Sequence, residues 1–148
     1  MRHPRGVTLV ELLVVLAILG AAVSAVVIVL PDPRGSLTAE AERLAARLSA
    51  ARDAAILSRR SVALRLDAQG YGFERREPAG WAALPGRAFE ARDWPAGTTV
   101  ELAPPSQTRI RFDATGLATP ATIQLVRDGV AVAVTVDAAG EVAVDAPR

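Results

Sequence analysis

Cysteine and lysine are both absent from the 148-residue chain, so all 17 basic residues are arginine. The only histidine is His3, and aromatic residues make up just 4% of the chain. Without cysteine there is no disulfide framework and no thiol nucleophile. Beyond residue 3 there is no imidazole either, which removes Cys/His and Ser/His catalysis. Charge of one sign is also lacking. The 17 basic residues nearly cancel 16 acids, leaving +1, so no net field draws the chain to nucleic acid or anionic lipid. Internal repeats and low-complexity linkers are missing as well. Carboxylates are plentiful but fall in no catalytic spacing. Asp137, Glu141 and Asp145 recur every four residues and suggest calcium ligands only superficially. Asp137 and Glu141 flank a turn, and the oxygen-rich spacing of a calcium loop is missing. The expectation is a protein that is not an enzyme and has no cofactor and no metal.

What the chain does have is one long apolar run near its start. Val7 to Leu30 is almost unbroken, with a single carboxylate, Glu11, close to its beginning. As a helix these residues reach roughly 36 Å, enough for a hydrocarbon core of about 30 Å. Arg2, His3 and Arg5 precede the run, and Arg34 is the nearest positive charge after it. That bias predicts a single-pass protein in the inner membrane, its N-terminus cytoplasmic and its C-terminal domain periplasmic. A cleaved secretory signal is the competing reading, because Val23-Ser24-Ala25 offers small residues for cleavage. Against it, the apolar stretch continues through Val26–Leu30. A carboxylate at mid-membrane also costs about 2.5–3.5 kcal/mol and tends to be kept only with a partner.

Pro31-Asp32-Pro33-Arg34-Gly35 should interrupt the helix as a kink or short loop, with Asp32 or Ser36 capping the next helix. From Ser36 to about Arg60 the pattern is an amphipathic helix. Its stripe is Leu37, Ala41, Leu44, Leu48, Ala51 and Ala55, while Glu40, Glu42, Arg43, Arg47, Arg52 and Asp53 lie largely off it. Such a helix either binds a partner or packs on its own sheet, and the strands after it favour packing. From Ser61 the period becomes two. Val62–Leu66 and Tyr71–Glu74 form a hairpin around Asp67-Ala68-Gln69-Gly70. Residues 75–97 look irregular and contain Trp81 and Trp94, either partner anchors or staples for a long loop. Further strands fall at Thr98–Leu102, Arg109–Phe112, Thr122–Arg127, Val130–Val136 and Glu141–Val144, with Asp128-Gly129 a strong hairpin turn. The fold class is α+β: a long N-terminal helix, in a transmembrane and an amphipathic half, packed on an antiparallel β-sheet of six to eight strands.

The string Arg5-Gly6-Val7-Thr8-Leu9-Val10-Glu11, followed by the apolar run to Gly20, resembles the leader and anchor of type IV prepilins and type II secretion pseudopilins. The resemblance implies a pilin-like fold, a leader at residues 1–6, a transmembrane helix at 7–30 and a periplasmic domain at 31–148, helical over about 36–60 and β-rich over 61–148. It further implies cleavage between Gly6 and Val7 by a prepilin peptidase, N-methylation of Val7, and an assembly role for Glu11. The family's first mature residue is usually phenylalanine, and here it is Val7. In the outer half, Ala54–Arg60 with Val62–Leu66, and Ile110–Leu117 with Thr122–Val126, are similar to the minor pseudopilin H group and its pilus relatives. The function so implied is a structural subunit at or near the tip of a type II secretion pseudopilus. Its partners would be other minor and major pseudopilins, the peptidase and inner-membrane lipid. The alternative is a minor type IV pilin of the FimT-like kind, serving pilus assembly or DNA uptake. DNA capture needs concentrated arginine. The C-terminal third instead sets Arg109, Arg111, Arg127 and Arg148 against Asp113, Asp128, Asp137, Glu141 and Asp145, so no nucleic acid is expected.

Overall fold

The computed structural model describes residues 9–29 and 33–145, with side chains described for Leu9–Leu19 and from Leu37 onward. The chain divides into two compact units, Met1–Asp32 and Pro33–Arg148. The first consists of helix α1, Leu9–Val29. Its described apolar side chains are exposed on every side, from Leu9 through Leu16 to Leu19. A helix that is apolar all round is of the kind suited to lipid or to a bundle. Among the described residues no helix is long and apolar enough to cross a membrane. The described side chains of α1 end at Leu19, part-way along the apolar run.

The second unit opens with α2, Pro33–Ser58. The expected start at Ser36 is therefore three residues late. Proline at a first helical position loses no hydrogen bond that the helix would have made, so Pro33 begins the helix instead of breaking it. Ser36 then falls inside the helix and not at its cap, while Pro31 and Asp32, the expected kink and the other expected cap, lie outside the described residues. At the other end Arg60 N–H donates to the Ala55 carbonyl and Arg59 N–H to that of Ile56, each 3.2 Å. Arg59 takes the left-handed conformation at φ 51°. This paired bonding closes the last turn and stops the helix two residues before Arg60.

All six residues of the expected stripe, Leu37, Ala41, Leu44, Leu48, Ala51 and Ala55, are completely buried. They pack on two antiparallel sheets, not the one expected. The first has the order β3–β2–β1–β6, made of Gly80–Ala83, Gly70–Glu77, Val62–Leu66 and Arg109–Phe112, with the short β4, Arg92–Asp93, paired to the start of β2. The second has the order β5–β7–β8–β9, made of Thr99–Ala103, Ala121–Arg127, Val130–Val136 and Val142–Val144. β6 reaches past β5 to pair with β1, and β7 pairs back to β5. These two crossings separate the sheets, because β6 and β7 each find a partner across a connection longer than a tight turn. Inward residues alternate along the strands: Val62 and Leu64, Ile110 and Phe112, Ile123 and Leu125, Val132, Val134 and Val136 are all buried.

The stretch read as irregular is mostly ordered. β2 runs on to Glu77, turns at Pro78-Ala79 and returns as β3, and Arg87–Phe89 forms a 3-10 turn. Gly80-Trp81-Ala82-Ala83 has no period-two alternation, so only its pairing partner makes it a strand. The Asp128-Gly129 turn is as expected, with φ of 52° and 77°, the left-handed pair that a two-residue hairpin requires.

Burial makes a simple stability prediction. Leu44 is completely buried whereas Leu57, on the same helix, is 85% exposed. Leu44→Ala should cost about 2–5 kcal/mol in denaturant unfolding, and Leu57→Ala should fall within about 0.5 kcal/mol of the parent.

Candidate assembly surfaces

Glu11 lies in the first turn of α1 and is exposed there, among exposed Leu9, Val10, Leu12 and Leu13. A carboxylate at a helix N-terminus is favoured by the helix dipole. The apolar ring around it is what would be desolvated when this end is buried. Gly6 and Val7, the expected processing residues, lie outside the described residues.

In the outer unit the polar residues that matter most are two arginines of α2. Arg47, expected off the packing stripe, is only 9% exposed. It stands three residues after Leu44 and one before Leu48, on the flank of the stripe. Its Nε donates to the Ala88 carbonyl at 2.7 Å and its Nη2 to the Glu90 carbonyl. The guanidinium carbon lies 4.9 Å from the Tyr71 ring centre and 5.2 Å from that of Phe73. Carbonyl oxygens and aromatic faces thus replace the water a buried cation loses, and they hold the 86–90 segment against the helix. Glu40, also expected off the stripe, is likewise buried, and Arg43 donates to its carboxylate.

Arg52 ties down two turns at once. Its Nε donates to the Gly116 carbonyl at 3.2 Å and its Nη2 to the Ala139 carbonyl at 3.1 Å. The first turn is shaped by Asp113, whose Oδ1 accepts from Thr115 Oγ1 at 2.6 Å, Thr115 N–H at 2.8 Å and Leu117 N–H at 3.1 Å. In the second, Asp137 Oδ1 accepts from Glu141 N–H at 2.9 Å. The Thr115 bonds, chiefly the one from its hydroxyl, hold the Asp113 carboxyl below its ordinary range. Asp67 is lowered in the same way, mainly by the N–H groups of Gly70 and then Gln69 in the β1–β2 turn. A depressed folded-state pKa contributes stability above the unfolded value and loses it as pH falls. Acid titration should therefore weaken the domain as pH drops through and below about 4. Asp113→Asn should flatten that part of the profile when unfolding is followed by circular dichroism.

The two tryptophans divide between the two readings. Trp94 is a staple: it is buried, stacks on Tyr71 at 4.7 Å between ring centres, and donates from Nε1 to the Asp67 carbonyl at 2.9 Å. Trp81 is half-buried on the outer face of the first sheet, with the Arg76 and Arg109 guanidinium carbons each 5.8 Å from its ring centre. An open groove of about 570 Å³ runs between β2 and residues 83–91, lined by Phe73, Leu84, Pro85 and Phe89 with Arg65 and Arg87 at its edges. Among the described residues Glu90 is the one carboxylate in its lining.

Several solved structures share this fold. The minor pseudopilin EpsH of the Vibrio cholerae type 2 secretion system aligns over 78% of this chain and 98% of its own, with a TM-score of 0.66 and 18% identity. Escherichia coli GspH aligns over 80% and 94%, at 0.63 and 19%. The type IV minor pilin FimU of Pseudomonas aeruginosa aligns over 76% and 90%, at 0.60 and 23%. At these identities the likeness is one of fold. No curated protein compared with the chain matches it. Two family descriptions do: the prokaryotic N-terminal methylation motif over residues 1–27, and type II transport protein GspH over residues 40–140. The second covers more than half of the sequence, including most of α2, both sheets except β9, and the two turns held by Arg52, and the chain belongs to the type II transport protein GspH family.

Proposed function

We propose that this chain is a minor pseudopilin of a type II secretion system. It would be a structural subunit, without catalysis of its own, at or near the tip of a periplasmic pseudopilus that supports protein export across the outer membrane. The observation that carries this reading is the match of the outer domain to the GspH family, joined in one chain to the N-terminal methylation motif. Residues 1–6 serve as the leader, cut after Gly6 by a prepilin peptidase, and Val7 becomes the methylated N-terminus. Residues 7–30 anchor the subunit once through the inner membrane with the N-terminus cytoplasmic, and residues 31–148 form the periplasmic domain. The basic head before the apolar run supports that orientation.

Glu11 is the assembly residue in this account. A new amine at Val7 and a carboxylate four residues on are opposite charges in one apolar setting. Pairing with the complementary group of a neighbouring subunit offsets the desolvation of both. The other minor and major pseudopilins are the implied partners. The fold of FimU, a type IV minor pilin, supports pilus assembly as a second reading. Deleting the gene and comparing secreted proteins with surface pili separates the two. Loss of secreted proteins with pili intact is the expected result, and loss of pili with secretion intact would refute it.

A further inference from the structure

Among its described residues the outer unit leaves three large apolar side chains exposed, and they stand together. They are Ile56, Leu57 and Leu117, at 40%, 85% and 55% exposure. Ile56 and Leu57 lie in the last turn of α2. Ile56 rests on Gly116, where an added Cβ would stand 2.8 Å from its Cδ1, and Leu117 is the next residue of that turn. The backbone of Leu117 is fixed twice. Its N–H donates to Asp113 Oδ1 at 3.1 Å, and its carbonyl accepts from Asp113 N–H at 2.8 Å. Arg52 clips the same turn to the helix through the Gly116 carbonyl. Hydrogen bonds thus hold in place a patch whose own side chains bury little.

Asp53 stands one turn before Leu57 and shares its side of the helix. It is exposed, and among the described residues it takes part in no ion pair. Three aliphatic groups beside one unpaired carboxylate fit an apolar side chain accompanied by a lysine or arginine. The basic residue's stem would lie on the leucines and its head would meet Asp53. A second copy of this chain does not fit. Patch against patch would set Asp53 on Asp53, like on like. Among the described residues the outer unit exposes no further large apolar side chain for a different contact. Size also restricts the partner. Such a patch covers on the order of a few hundred Å², against roughly 800 Å² per partner in a stable complex. It suffices for a neighbour that is already held close, as tethering in one membrane provides.

We propose that Ile56, Leu57 and Leu117 form the docking patch for a different pilin-like subunit of the same assembly. That subunit lays an apolar side chain on the patch and sets a lysine or arginine against Asp53. In naming this partner the inference rests on the pseudopilin reading. The patch joins the end of α2 remote from Pro33 to a turn between the two sheets, so the partner reads both at once. The turn is already fixed before contact, which spares the ordering cost of binding. Leu57 contributes almost nothing to folding, and contact with this partner gives its exposure a purpose.

The native chain has no cysteine, so Leu57→Cys and Leu117→Cys each supply a single thiol. The full-length variants are expressed in a deletion strain that holds the rest of the secretion machinery. Its membranes are labelled with a maleimide benzophenone and illuminated, and the adducts are identified by mass spectrometry. Both positions should join the same protein, one that differs from this chain and carries an N-terminal methylation motif. Glu101→Cys, on the second sheet, should give at least about tenfold less of that adduct. Adding Asp53→Arg to Leu117→Cys should lower the adduct about tenfold or more. Asp53→Asn should lower it about two- to fivefold, and Asp53→Glu should preserve it. Thermal unfolding of the Asp53 variants should match the parent, which separates lost docking from lost folding. An adduct with a second copy or with a secreted protein would overturn the proposal. So would an adduct no stronger than that of Glu101→Cys, or one indifferent to Asp53→Arg. If the adduct fails while the native chain still restores secretion to the deletion strain, this patch falls and the pseudopilin reading stands. Failure to restore secretion removes the reading beneath it.

Discussion

Gly140→Ala is expected to destabilise the outer domain by about 3 kcal/mol or more. Two costs combine. Gly140 has φ +78°, and a side chain in the left-handed region costs roughly 1–2 kcal/mol. In addition, a Cβ there would collide with the Gly116 carbonyl oxygen and with the Arg52 side chain. Those atoms form the clip that fastens the 113–116 and 137–140 turns to α2, so the collision cannot be relieved without releasing one of them. Gly129→Ala is the internal control. Its φ is +77°, but nothing lies within 4 Å of the added carbon, so only the backbone cost of about 1–2 kcal/mol applies. Chemical unfolding of the two variants side by side checks the separation. Equal losses would show that the turn packing around Arg52 contributes nothing.

Glu11→Ala is expected to abolish incorporation into the pseudopilus and to reduce secretion to the level of a strain lacking the gene, while leaving the outer domain folded. On the proposed reading this carboxylate receives the amine of a neighbouring subunit inside an apolar assembly. Removing it leaves a buried cation unpaired, a penalty of about 3–5 kcal/mol for breaking such a pair. Glu11→Gln keeps the size and the acceptor oxygen but not the charge, and should fail nearly as badly. Glu11→Asp keeps the charge and should retain partial function. Complementation of a deletion strain with the four forms, scored by secreted protein and by cross-linking to other pseudopilins, reads this directly. Secretion by Glu11→Ala equal to the native chain would exclude the pairing.

The contrast between these two residues also shows what the sequence makes visible. Glu11 stands out because a lone carboxylate in an apolar run breaks a pattern. The packing stripe from Leu37 to Ala55 is legible for the same reason, its period of three and four residues, and all six members are buried. Arg47 and Arg52 are not legible. Their partners are backbone carbonyls at Ala88, Glu90, Gly116 and Ala139, and a carbonyl has no residue type to announce it. Arginine is also counted as polar in any periodicity, though its stem and planar head can be buried over aromatic rings. The cluster of arginines around Trp81 and Glu74 is hidden by topology: Arg65, Arg76, Arg109 and Arg111 come from three strands, and they meet because β1 pairs with β2 on one side and β6 on the other. Counting charges along the C-terminal third cannot find it. The split into two sheets is hidden in the same way, since hairpin signals mark neighbouring strands and say nothing of long crossings. Trp81 and Trp94 look alike in sequence, and only pairing separates the half-buried one from the staple.

The central claim is that this is a processed, membrane-anchored assembly subunit, and the mass of its mature N-terminus tests that most directly. The chain should be isolated from the membranes of cells that hold the complete secretion machinery, and its N-terminal peptide measured by mass spectrometry. The account predicts a chain that has lost Met1–Gly6 and begins at N-methylated Val7. A chain still carrying Met1, or one cut near Ala25 and free of the membrane, would contradict it.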